Sequence, residues 1–347
     1  MAQTYVDWAL AKRTARRFVA DGPSTTPGEA AAAVEDLRGA AMRAHGPVAE
    51  TARMDASTGA ESPVHIVDRT VWIDVNVDSM DALLAPVIDV LTAKKKAGPR
   101  TRAVGAKVGG AETGALMGFV ASKVLGQFDL APEGQPSLLL VAPNIVAAER
   151  ELHVDPTDFR LWVCLHEETH RVQFTAVPWL REHLIGRVRT LITDLVPDPE
   201  ALQQRLQSVA KALPGALRDG GGGLTDLVVN PAQRAELADI TAIMSLLEGH
   251  ADVVMDDVGP QVVPSVDQIR AKFDERRKGA GSVDRMLRRL LGLEAKMRQY
   301  RDGAAFCRAV QEKVGVDGFN AVWTSPQTLP TAAEIETPAA WVERVHG

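Results

Sequence analysis

Apolar positions recur along most of the chain at intervals of three and four residues, the period of a helix with one buried face. Strand-type runs are few, so a mainly α protein with a small β-sheet, an α+β fold, is predicted. Residues 3–20 and 28–44 read as amphipathic helices separated by the stop signal Asp21-Gly22-Pro23. Val64 to Val77 has mixed periodicity and its type stays open, while 79–93 reads as a helix ending in Lys94-Lys95-Lys96, cations that suit a helix C-terminus. Between 104 and 126, Gly110, Gly114 and Gly118 recur every fourth position, which predicts a face that a second helix backbone approaches closely. Lys107, Glu112 and Lys123 inside that stretch exclude a membrane span.

Ser137-Leu138-Leu139-Leu140-Val141-Ala142 is the clearest strand, bounded by Gly134-Gln135-Pro136 and Pro143-Asn144. Asp155-Pro156 is a cap followed by a helix-starting proline, and predicts a helix to about Thr175. A helix pair is expected at 179–196 and 199–212, then a loop or hinge at Asp219-Gly220-Gly221-Gly222-Gly223. Asn230-Pro231 opens a long helix reaching about Asp257, and further helices are expected at 265–278, 282–300 and 302–314. Residues 1–130 would form a helical N-terminal region and 131–347 a second region with a helical insertion at 171–231, the whole making one compact unit.

Charge narrows the functional classes. The chain has 347 residues, with 39 Lys+Arg against 45 Asp+Glu and a formal net charge of −6, a balance that does not suggest a phosphate-tracking surface, so no nucleic-acid partner is expected. Two cysteines, Cys164 and Cys307, without paired spacing exclude a Cys-based zinc cluster and fit a reducing compartment. No apolar run approaches the ~20 residues a span needs, and basic residues at Lys12, Arg13, Arg16 and Arg17 interrupt any signal peptide, so a cytoplasmic location is expected.

The segment Leu161-Trp162-Val163-Cys164-Leu165-His166-Glu167-Glu168-Thr169-His170 carries H-E-x-x-H on a predicted helix. His166 and His170, one turn apart on one face, can both reach a tetrahedral metal ion, and Glu167 beside them can deprotonate a water held there. The motif alone arises by chance in roughly one or two chains per hundred of this composition. Its apolar surroundings carry more weight, because two unpaired histidines and two acids on a buried helix are costly without a metal.

A third ligand is needed. Leu237, Thr241, Met244, Ala251 and Met255 fall on the same helical face as Glu248, which places a carboxylate at the centre of an apolar stripe, where it must be paired or bind a cation. Glu248 is therefore preferred, with His250, nearly opposite on the projection, as the alternative metal ligand. Asp252, one turn beyond Glu248, is placed to accept from the outer nitrogen of a ligating histidine.

H-E-x-x-H followed by a helix bearing E-x-x-x-D resembles the gluzincin arrangement, the His2Glu zinc class of thermolysin, here with a 77-residue separation. More broadly, the chain resembles the actinobacterial zincin-like metallopeptidase family, one subgroup of which is named for an association with deazaflavin coenzyme biosynthesis. Residues 124–129, 159–174 and 247–257 carry the likeness, with Lys296-Met297-Arg298-Gln299-Tyr300 before Gly303, residues 319–323 and Leu329-Pro330. The resemblance implies a zincin-like architecture around an H-E-x-x-H helix, a zinc cofactor and hydrolase chemistry, and leaves the substrate unnamed. Tyr300, with Lys296 and Gln299 beside it, is the candidate donor to a developing oxyanion.

The expected function is zinc-dependent amide hydrolysis of a peptide or protein, with residues 137–142 as an edge strand on which an extended peptide pairs. Two alternatives remain at this stage: a zinc-stabilised binding or regulatory scaffold, which would have no use for Glu167, and an amidohydrolase of a small metabolite.

Overall fold

The computed structural model describes residues 6–55, 62–94, 98–195, 231–278 and 293–347. Helix 199–212, the glycine run at 219–223 and the first part of the helix expected at 282–300 lie outside the described residues.

Helix α1 (Trp8–Phe18) starts where the Asp7 carboxylate accepts a hydrogen bond from Leu10 N at 2.8 Å. Helix α2 (Pro27–Ala52) begins with a reciprocal capping box between Thr26 and Glu29, and runs beyond the predicted end at 44. The undecided stretch after it divides into strand β1 (Val64–Val67) and the start of helix α3 (Arg69–Lys94). Helix α4 (Pro99–Ala121) lies against α1 along the predicted glycine face: a Cβ on Gly114 would stand 2.4 Å from the Ala11 carbonyl oxygen.

Strands β2 (Gly126–Asp129) and β3 (Ser137–Val141) complete a three-stranded sheet of order β1-β3-β2. β1 runs parallel to β3 and β2 antiparallel to it, with Gly126 opposite Leu140 and Phe128 opposite Leu138. The expectation of an edge position for 137–142 is thereby corrected: β3 is the central strand, all five residues are buried, and β1 and β2 are the outer ones. Five consecutive apolar or small residues buried on both faces suit a centre better than an edge.

β3 also separates two apolar cores. Leu139 and Val141 pack with α1, α3 and α4, whereas Leu140 faces the larger core built around α2, helix α5 (Ala142–Leu152) and helix α6 (Pro156–Ala176). The Asp155 carboxylate caps α6 by accepting from Asp158 N, as the Asp-Pro pair predicts. Helix α7 (Pro178–Leu195) follows, then the 28-residue helix α8 (Pro231–Val258), helix α9 (Val266–Lys278) and helix α10 (Leu293–Phe319). No break separates 300 from 302; the only non-helical point described in α10 is Gly315, at φ 74°. Two 3-10 turns (Asn320–Trp323 and Pro326–Thr328) and the short helices α11 (Ala332–Glu336) and α12 (Pro338–His346) close the chain, with Trp341 fully buried and its Nε1 donating to Thr328 O at 2.8 Å.

α8 and α10 touch backbone to backbone. A Cβ on Gly249 would come within 2.1 Å of the Gly303 carbonyl carbon, and one on Gly303 within 1.9 Å of the Ser245 carbonyl oxygen. Glycine at both positions is therefore required by the approach of the two helices. No described helix is long and apolar enough to cross a membrane.

Candidate metal centre

α6 brings an acidic and basic set into the middle of the molecule. Glu167, Glu168 and Thr169 are buried, although charged residues are rarely so without partners. Glu168, fully buried, faces away from the histidine pair: it accepts from Arg171 at both oxygens, at 2.8 and 2.6 Å, and lies 2.7 Å from His45 Nδ1. That pairing makes Glu168 part of the packing.

His166 and His170 meet Glu248, which α8 carries across to them. His166 Nε2 and His170 Nε2 are 3.3 Å apart, and Glu248 Oε2 lies 3.4 Å from the first and 3.6 Å from the second. A tetrahedral zinc with bonds of ~2.0–2.1 Å to nitrogen and oxygen sets its ligand atoms about 3.3–3.4 Å apart, so the three residues fit the ion without rearrangement. Among the described residues they form the sole group of three or more acids, histidines or cysteines with that convergence. The set is open on the His166 side, whose side chain is 26% exposed against 13% for His170 and 16% for Glu248, which leaves room for a fourth, non-protein ligand.

Burial alone would raise the Glu248 carboxyl, but the two imidazoles beside it, His170 foremost, outweigh burial and hold it well below the usual range. For His170 burial opposes the charge, and the Glu248 carboxylate overrides it, pushing the imidazole up to about 9. Glu167 is shifted upward, first by burial and further by Glu248, against the pull of the two histidines. Its carboxyl group is wedged between α6 and β2, where a Cβ on Gly126 would lie 2.6 Å from Glu167 Cδ. The strand alternates there: Gly126 and Phe128 face α6, Phe128 stacking on Phe174 at 5.2 Å, while Gln127 and Asp129 turn to α3 and bond Trp72 and Ser79.

The outer nitrogens do not find Asp252. His166 Nδ1 faces Met255 Sδ at 3.2 Å and His170 Nδ1 faces Gln173 Oε1 at 3.0 Å, so the second-sphere assignment of Asp252 is corrected. Helical projection gives the angle of a residue and says nothing of its depth, and Met255 reaches the cluster from nearly two turns past Glu248. Gln173 escaped the sequence reading, yet its position three residues beyond His170, on the same face, was the available signal. His250 is also corrected: it stands outside the cluster, fully buried, with Nδ1 3.0 Å from Gln173 Nε2 and its ring stacked on Phe319. Burial lowers its imidazole to about 3. Tyr300 belongs to α10, and its side chain, like those of Lys296 and Gln299, is outside the described part.

The family model for zincin-like metallopeptidases matches residues 6–342. The chain belongs to that family. Membership implies a metal, typically zinc, and the triad of His166, His170 and Glu248 is compatible with it. A crystal structure from Chloroflexus aurantiacus, described as "a putative hydrolase with a novel fold", is similar over 98% of this chain and 99% of its own, with 28% identity and a TM-score of 0.67. Together these support hydrolase chemistry in the broad sense. No curated protein matches the sequence.

Proposed function

We propose that the protein is a zinc-dependent peptidase in which His166, His170 and Glu248 hold the metal and Glu167 is the general base. The observation that supports it most directly is the near-tetrahedral spacing of 3.3, 3.4 and 3.6 Å between the three ligand atoms beside a buried, non-ligating carboxylate. A purely structural zinc site is normally closed by a fourth protein ligand, and has no need of Glu167. When bound, zinc supplies Lewis acidity to a substrate carbonyl and to water. The chain's own residues do the rest. The Glu167 carboxylate takes the proton of the attacking water and returns it to the amide nitrogen as the bond breaks, a role suited to a carboxyl shifted upward by burial. Substrate recognition is assigned to the outer strand β2 in place of β3, because β2 lies over Glu167 at Gly126 and an extended peptide can add to an antiparallel edge.

A peptide library incubated with purified protein, with chelated protein and with chelated protein given back one equivalent of zinc tests this. Cleavage in the first and third samples, absent from the second and from His166→Ala, is expected; cleavage indifferent to chelation overturns the metal role. One bound zinc per chain with no peptide cleaved overturns the peptidase and leaves hydrolysis of a small amide.

The His170 shift gives a pH dependence. Zinc has to displace the proton that Glu248 stabilises on His170 below pH about 9, so apparent zinc affinity should climb with pH, by up to about tenfold per unit, and level off above 9. In chelated protein the sign reverses. A folded value above the unfolded 6.5 stabilises fully below 6.5 and is lost as pH rises through about 9, so the melting temperature should fall across that window. Chelator competition and thermal scans at pH 6–10 measure the two trends.

A further inference from the structure

We infer that His250 is a positioning residue which, through Gln173, fixes His170 with the Nε2 lone pair turned to the metal; this rests on the zinc reading above.

Hydrogen stoichiometry carries the argument. Gln173 is fully buried, and its amide lies 2.9 Å from the Leu247 carbonyl oxygen, which can only accept, so the atom facing it is Nε2. The second Nε2 hydrogen then points at His250 Nδ1, 3.0 Å away, and Nδ1 must be unprotonated to receive it. That leaves Gln173 Oε1 facing His170 Nδ1 at 3.0 Å, a contact that is a hydrogen bond only if Nδ1 bears the proton. In the neutral imidazole that a metal requires, His170 Nε2 is then the bare nitrogen, the atom 3.3 Å from His166 Nε2 and 3.6 Å from Glu248 Oε2. Reversing the amide would set two acceptors against each other at Leu247 and remove the donor to His250.

The surroundings of His250 explain why a polar ring is there. It is wholly buried, 5.3 Å from the Phe319 ring and 5.4 Å from that of Trp323, and its Nε2 has no hydrogen-bond partner among the described residues. Phenylalanine would fill this aromatic box and remove the unmet Nε2–H, but would leave the second Gln173 amide hydrogen without its acceptor. The histidine is accounted for by its other nitrogen, which receives the second amide hydrogen and so orients Gln173. Because Leu247 adjoins Glu248, the same amide ties α6 to the α8 turn bearing the third ligand.

The test is zinc affinity by chelator competition on the full chain for wild type, His250→Phe, Gln173→Leu and the double variant, with melting of the chelated forms. Each single variant should weaken zinc binding by about tenfold or more, the double no further than the worse single, and His250→Phe should melt no lower than wild type without metal. A folded His250→Phe protein that binds zinc within about twofold of wild type overturns the proposal. Failure of the zinc reading looks different: His166→Ala would then keep its zinc as well. Should His250→Phe fail to fold, long-range nitrogen NMR on zinc-loaded wild type decides, with the proton on Nε2 of His250 and Nδ1 of His170 expected and either opposite tautomer overturning it.

Discussion

Glu167→Gln should lower kcat by about 10²–10⁴-fold while zinc remains at one per chain. The substitution keeps the shape wedged beneath Gly126, where a Cβ would already stand 2.6 Å from Cδ, so glutamine fits and the three ligand atoms stay in place. What is lost is the ability to take a proton from water. Stability should move the other way. Burial raises the Glu167 carboxyl, meaning that the fold disfavours its ionised form; that penalty is absent at low pH and grows as pH rises past the unfolded carboxyl value. A neutral amide escapes it, so at pH 7 the chelated variant should melt higher than chelated wild type. Metal analysis, turnover on a substrate found in the library and thermal scans measure the three quantities. A variant that retains turnover within about threefold removes Glu167 as the base. Loss of activity together with loss of stability would make it a packing residue instead. A gain in stability on removing a group needed for turnover is the mark of a functional site.

Much of this site was legible in the residues themselves. The i, i+4 histidines needed only helical geometry, and Glu248 was found because a carboxylate at the centre of an apolar stripe has to be answered by something. Its helix continued through Gly249, so the projection held. What the projection lacked was radial distance and the identity of the facing helix, which is why it pointed to Asp252 and gave no sign of Gln173 or Met255 as partners of the histidines. Both of those act across a helix–helix gap that no single-helix argument contains. The fold shows the same division. Asp155-Pro156 marked a helix start because capping is local, and that cap is observed; Asn230 lies outside the described residues. β2, Gly-Gln-Phe-Asp, has one strongly apolar residue in four, and its strand character comes from pairing with β3 and from the side chains on either face. The break expected between 300 and 302 is absent: α10 runs through it, held by the close approach of α8 at Gly303, a tertiary contact that no local signal carries.

That approach makes Gly303→Ala the most damaging small substitution expected outside the ligands. The new methyl would lie 1.9 Å from Ser245 O and 2.7 Å from Ser245 C, atoms of a helix backbone that cannot rotate aside as a side chain would. Relief requires α8 and α10 to separate along a crossing that is itself buried, and overpacking of this kind costs about 3 kcal/mol or more. Ser245 is one turn before Glu248, so the same displacement draws the carboxylate away from His166 and His170, presently 3.4 and 3.6 Å distant. Chelated Gly303→Ala protein should therefore melt several degrees below wild type, and zinc should recover less of the loss than it adds to wild type. Gly186→Ala provides the contrast. That glycine is exposed within α7 with nothing within 4 Å of an added Cβ, so alanine there should stabilise by about 0.5–1 kcal/mol through helix propensity alone. Opposite signs from one chemical change would isolate the helix crossing as the cause; equal effects would show that the contact between α8 and α10 yields without strain and that Glu248 is held in place by other means.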